Sequence, residues 1–135
     1  MKGFGWRVGC AAGLAVALAA GAEVNQDWLG KVPAKDRVRV NPYAGKPAAI
    51  AGGQRLFEEH CAACHGMDRL GTAGKPSLRT PVVEKATDGE LFWLLKNGDL
   101  RDGMPSWSSL PEPERWEIVA FLRAAGSKEP GGGSQ

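Results

Sequence analysis

Residues 61–65 read Cys-Ala-Ala-Cys-His, and no other stretch of the 135-residue chain restricts its fold so strongly. Cys-x-x-Cys-His is the spacing by which a polypeptide takes on a c-type haem. Thiols at i and i+3 lie about one helical turn apart, so both can face one porphyrin edge and add to its two vinyl groups as thioethers. His65 follows directly and brings an imidazole under the ring as the proximal iron ligand. Ala62 and Ala63 leave that edge uncrowded. A chain so equipped also needs export, a second axial ligand and an apolar pocket.

The export signal is at the start. Lys2 and Arg7 form a charged region, Val8 to Ala20 is apolar, and Ala20-Gly21-Ala22 is a small-residue cleavage site. Residues 1–22 are therefore expected to be a cleaved secretory signal. The apolar run falls short of the about 20 residues that span a bilayer, so no stable membrane span is expected after cleavage. A retained anchor is the alternative. Cys10 lies early in the apolar run and is a passenger in the discarded peptide. Cleavage leaves Cys61, Cys64, His60 and His65 as the thiols and imidazoles of the mature chain. It also removes two of 17 basic residues, which balances the rest against 15 acidic ones. A neutral chain lacks the electrostatic footprint of nucleic-acid binding. The mature domain is small, so its protein-only core is modest, and the apo-protein is expected to be marginal or unfolded.

Beyond the signal, residues 23–46 show no helical period and carry Pro33 and Pro42. They read as an N-terminal arm over the surface, with a short extended piece at Asp36–Val40. Their local positive charge leaves open a docking strip for an acidic partner. The domain proper is expected over 47–126, with a flexible tail at 127–135. Ala48 to His65 reads as one helix, with Ile50, Gly53, Phe57 and Cys61 along a face. Met67 to Pro81 is a loop punctuated by glycine and proline. Thr87 and Glu90 form a capping box before the apolar run Leu91–Leu95. Leu100 to Leu110 is a second loop. A last helix begins between Pro111 and Pro113, carries the stripe Ile118, Phe121, Leu122 and Ala125, and stops at Gly126. No segment alternates like a strand, so the fold is all-α, with about three to five helices around one haem.

The second ligand follows by elimination. His60 precedes Cys61 on the same helix, and Met67 is too close to His65 in sequence. Met104 comes 39 residues after His65, in a loop between Gly103 and Pro105. Methionine opposite histidine raises a haem potential, which suits an electron carrier. Other readings are weaker. A redox disulfide at Cys61 and Cys64 lacks its βαβ setting. Zinc lacks a second ligand pair. Trp93, Trp107 and Trp116 read as core or pocket lining. An apolar cavity between His65 and Met104 is expected.

These residues resemble the single-haem class I c-type cytochromes, and in particular the small bacterial cytochromes that accompany periplasmic dehydrogenases. The likeness spans roughly Ala48 to Gly126. It rests on Gly53, Phe57, the haem signature with Gly66, and Gly103-Met104-Pro105. It implies a cytochrome c-like fold in which the first and last helices cross at Gly53 and Phe121. It implies that the Pro76 carbonyl accepts the His65 N–H and that Leu78 lines the pocket. Cofactor contacts then fall on Cys61, Cys64, His65, Pro76, Leu78 and Met104, with His65 and Met104 on the iron. The implied function is periplasmic one-electron transfer by a monomer rather than an enzyme. A dehydrogenase would be the donor, and a cytochrome or terminal oxidase the acceptor. The alternatives are an electron-transfer subunit of a stable dehydrogenase complex, and a haem enzyme or gas sensor with a labile sixth ligand.

Overall fold

A computed structural model describes residues 27–126; the signal at 1–22 and the tail at 127–135 lie outside the described residues. In chain order the elements are α1 (Trp28–Lys31), α2 (Ala34–Arg37), α3 (Pro47–His60), α4 (Ala62–His65), α5 (Pro81–Lys85), α6 (Asp88–Asn97) and α7 (Glu112–Gly126), with a 3₁₀ turn at Leu100–Asp102 before α7. Among the described residues there is no strand, only an isolated bridge between Asp99 and Met104.

The frame is the crossing of α3 and α7, the most extensive contact between elements. Pro47 opens α3 at a position where its missing N–H has no helical partner to lose. Ala49, Gly52, Gly53 and Phe57 form its buried face. At Gly53 the helices touch backbone to backbone. A Cβ there would overlap the Glu117 carbonyl and come 2.9 Å from Phe121 Cβ. One turn on, the Phe57 and Phe121 rings pack at 5.3 Å between centroids. The expected face thus holds for Gly53, Phe57 and Cys61, while Ile50 is only half-buried. The single helix expected to reach His65 is broken. Cys61, with φ drawn out to −117° while ψ stays at −33°, interrupts the helix, and α4 continues as a separate turn.

Helix α6 starts at the expected capping box. Thr87 Oγ1 accepts from the Glu90 N–H at 3.2 Å, and Glu90 Oε2 accepts from the Thr87 N–H at 2.7 Å. Leu91, Phe92 and Leu95 are buried on it. Phe92 stacks on Trp116 of α7 at 3.9 Å. Of the expected stripe on α7 only Ile118 is fully buried, while Phe121, Leu122 and Ala125 are half-buried; Arg115, Trp116, Val119 and Ala120 are buried as well, because α7 packs against both α3 and α6. Helix α5 was not expected. Its signal was present in Thr80, whose hydroxyl caps the Val83 N–H, and in Pro81 at the first position.

The N-terminal segment departs most from expectation. Asp36–Val40 is not extended: Arg39 N–H closes a turn on the Asp36 carbonyl at 3.1 Å. Nor does the segment merely lie over the surface. Trp28, Val32 and Asn41 are buried, and Asn41 Nδ2 donates to the Trp116 carbonyl at 3.0 Å. Three of its basic residues pair inside the molecule: Lys31 with Asp99, Arg37 with Glu90 and Arg39 with Glu112.

Candidate haem site

The haem signature is held at the end of α3. Cys61 N–H donates to the Phe57 carbonyl at 2.8 Å, and α4 is closed by His65 N–H on the Cys61 carbonyl at 2.9 Å. Cys61 is buried and Cys64 exposed, and neither is in a disulfide. The loop after α4 folds back on the signature. Gly71 N–H donates to the His65 carbonyl, and Thr72 Oγ1 to the Cys64 carbonyl. This brings the Pro76 carbonyl 2.9 Å from His65 Nδ1. A carbonyl only accepts, so Nδ1 carries the proton and Nε2 keeps a free lone pair, the arrangement a ligating histidine needs.

Met104 comes from a hairpin at the end of α6. Asp99 and Met104 exchange two backbone hydrogen bonds, each 2.9 Å, around the turn at Leu100–Asp102. Gly98 makes this possible: a Cβ there would lie 2.6 Å from the Pro105 carbonyl carbon. Beyond the hairpin the chain is tied to α6 twice. Trp107 N–H donates to the Leu95 carbonyl at 2.8 Å, and Ser106 Oγ to the Lys96 carbonyl at 2.6 Å. From α7 the buried Arg115 Nη1 donates to the carbonyls of Trp107, Ser108 and Leu110. The loop that carries Met104 is therefore ordered by main-chain bonds on either side.

All six expected cofactor residues, Cys61, Cys64, His65, Pro76, Leu78 and Met104, line one cavity. It holds about 1190 Å³ of atom-free space, solvent at its mouth included. Phe57, Leu91, Leu94, Leu95, Ile118 and Leu122 make its walls apolar. Two thiols at one wall, an imidazole with a free Nε2, a thioether and an apolar lining are the donor set and surroundings that a covalent haem requires. The residues present fit that group. Burial, with Cys64 beside it, pushes the Cys61 thiol up to about 11. That disfavours the thiolate on which a redox disulfide would run.

Some lining residues escaped the sequence reading. Trp28 reaches the cavity from α1, and Asp99 from the hairpin. Nothing local announces either one, since both act across long sequence separations. His60 also lines the cavity, with its ring 5.2 Å from that of Trp107. Met67 is 66% exposed. Trp107 lines the cavity, Trp116 is core, and Trp93 packs against the core.

An all-α domain whose cavity gathers a Cys-x-x-Cys-His signature and a methionine hairpin defines a c-type cytochrome. The chain belongs to the cytochrome c family described as "Cytochrome C oxidase, cbb3-type, subunit III", which it matches over residues 48–122. Membership implies a covalent haem c held through a cysteine pair, and Cys61 and Cys64 supply that pair. Over 89 residues the chain is 30% identical to the cytochrome bc1 complex cytochrome c subunit of Corynebacterium diphtheriae, covering 64% of this chain and 31% of that one. Over 88 residues it is 31% identical to the quinohemoprotein alcohol dehydrogenase ADH-IIG of Pseudomonas putida, covering 64% of this chain and 12% of that one. Among solved structures it is similar to cytochrome cL of Methylophaga aminisulfidivorans, with a TM-score of 0.54 and 29% identity. That match covers 62% of this chain and 57% of the other. The chain thus spans a third or less of the two longer relatives. Among the described residues no helix is long and apolar enough to cross a membrane.

Proposed function

We propose that this protein is a one-electron carrier of the periplasm, with one haem c held through Cys61 and Cys64 and ligated by His65 and Met104. The convergence of these four side chains on a single apolar cavity carries the reading. When bound, haem c supplies a one-electron iron couple, while the protein governs potential, burial and docking. The Pro76 carbonyl fixes the His65 tautomer and strengthens the imidazole as a ligand. Met104 supplies the sulfur whose pairing with histidine raises the potential. Leu78 and the apolar walls keep water away from the iron position. Exposed Cys64, Gly103 and Pro105 bring the cavity mouth to the surface, where a partner can meet it briefly through a small interface. The donor is a periplasmic dehydrogenase and the acceptor another cytochrome or a terminal oxidase, and the carrier works as a monomer. The kinship to an alcohol dehydrogenase and to a bc1 subunit supports partners of these two kinds.

Absorption spectroscopy tests the ligand set. The oxidised holoprotein should show a methionine–sulfur charge-transfer band that Met104→Ala abolishes, and the reduced wild type should not take up carbon monoxide readily at neutral pH. Ready uptake would favour a haem enzyme or gas sensor instead. A second reading makes this chain the electron-transfer subunit of a stable complex. It is favoured by relatives in which the matching region is only part of a longer protein. Co-purification with a larger subunit at moderate salt would select it.

A further inference from the structure

We propose that the N-terminal segment Trp28–Arg39 is a strap that holds the Met104 hairpin closed over the haem, with Lys31 and Asp99 as its positioning residues; this rests on Met104 being the distal ligand. The segment precedes residue 48, where the family match begins. Its attachment to the domain is well made. Arg37 binds the strap to itself through the carbonyls of Leu29 and Val32, at 2.5 and 3.0 Å, and to α6 through Glu90 Oε1 at 2.9 Å. Thr87 Oγ1 at the start of α6 donates to the Arg37 carbonyl at 2.7 Å. Trp28, 6% exposed, inserts into the core and reaches the cavity wall.

From this anchored platform Lys31 Nζ reaches Asp99 Oδ1 at 3.2 Å, 68 residues away in sequence. Asp99 is no ordinary partner. Its own backbone makes both hydrogen bonds to Met104, and its side chain is 10% exposed at the cavity wall. A pull on the Asp99 carboxylate therefore acts on the residue paired with the distal methionine. The other ties on this loop fall after Met104, at Ser106, Trp107 and beyond. Lys31 is the cross-link on the near side. Without it, the hydrogen bonds that hold the turn 100–103 among the described residues are those of the Asp99–Met104 pair and the 3₁₀ turn, and Leu100 on that turn is 77% exposed. Opening of that pair is the motion by which the sulfur would leave the iron.

The test uses oxidised holoprotein and two measurements: the limiting rate at which saturating imidazole replaces the distal ligand, and hydrogen exchange of the Asp99 and Met104 amides. Lys31→Glu should raise the imidazole rate about five-fold, at the top of the range for a partly exposed ion pair, and speed exchange of both amides in parallel. Lys31→Arg should retain wild-type values. Lys35→Glu, at another exposed lysine of the strap, is the control for general charge effects and should change neither quantity. The proposal is overturned if Lys31→Glu behaves as wild type, or if Lys35→Glu matches it. Failure of the ligand reading looks different. There the methionine band would persist in Met104→Ala, and the strap would lose its role with it. A band lost in Met104→Ala alongside wild-type rates in Lys31→Glu defeats the strap alone.

Discussion

Gly53→Ala should damage this protein even though alanine is the better helix former. Gly53 sits in the middle of α3, where alanine is worth about 1 kcal/mol over glycine. Against that stands the contact with α7. The new methyl would overlap the Glu117 carbonyl, lie 2.5 Å from its carbon, and press Phe121 Cβ at 2.9 Å. Those neighbours are backbone and the root of a side chain, so no rotamer change relieves them and the two helices must move apart. Overpacking of this kind costs about 3 kcal/mol at the upper end of its range. The net loss is about 2 kcal/mol, which lowers the midpoint by roughly 8–16 °C in a domain of about 100 residues. The consequence extends to the site, because α3 and α7 together supply Phe57, His60, Ile118 and Leu122 to the cavity. Thermal unfolding of the holoprotein followed by circular dichroism is the assay. Gly52→Ala is the internal control. Its methyl would meet the Glu117 carboxylate, the free end of a flexible side chain that can swing away. Gly52→Ala should therefore be neutral or slightly stabilising. A rise in the Gly53→Ala midpoint, as helix propensity alone demands, would refute the reasoning.

Arg115→Met should cost about 3 kcal/mol in urea unfolding, since it strips a charged donor from the carbonyls of Trp107, Ser108 and Leu110 in a buried site. The pH dependence has a definite sign at Glu112. The hydrogen bond from Arg39 holds its carboxyl below the ordinary 4.5, aided by Trp116 and opposed by burial. A depressed carboxylate contributes stability that is present above the unfolded value and lost as pH falls through the folded one. The gap in stability between wild type and Glu112→Gln should thus be constant above about pH 5 and close in more acid solution. A gap that widens there would contradict the assignment.

The parts of the fold legible in the sequence are those written in local chemistry. The thiols and imidazole of Cys61–His65, the Thr87–Glu90 capping box and the prolines flanking Glu112 act within a few residues of themselves. Met104 stands out as a candidate ligand because few competitors remain and because Gly103 and Pro105 frame it, and the structure places it on the same cavity as His65. What stayed hidden depends on contacts between distant segments. α1 and α2 are four residues each, too short for hydrophobic periodicity to register. Trp28 and Val32 are buried by packing that no window over residues 23–46 contains. The Lys31–Asp99 tie is hidden for the same reason, since its partners lie 68 residues apart. The break at Cys61 was missed because a continuous helix satisfies the i, i+3 spacing of the thiols equally well.

We propose that His65 and Met104 jointly ligate a covalently bound haem in an electron carrier. A redox titration of purified holoprotein, followed by visible spectroscopy in wild type and Met104→Ala, tests it most directly. The wild type should show one reversible one-electron transition, and the variant a lower potential together with loss of the methionine band. An unchanged potential with the band intact in Met104→Ala would contradict it.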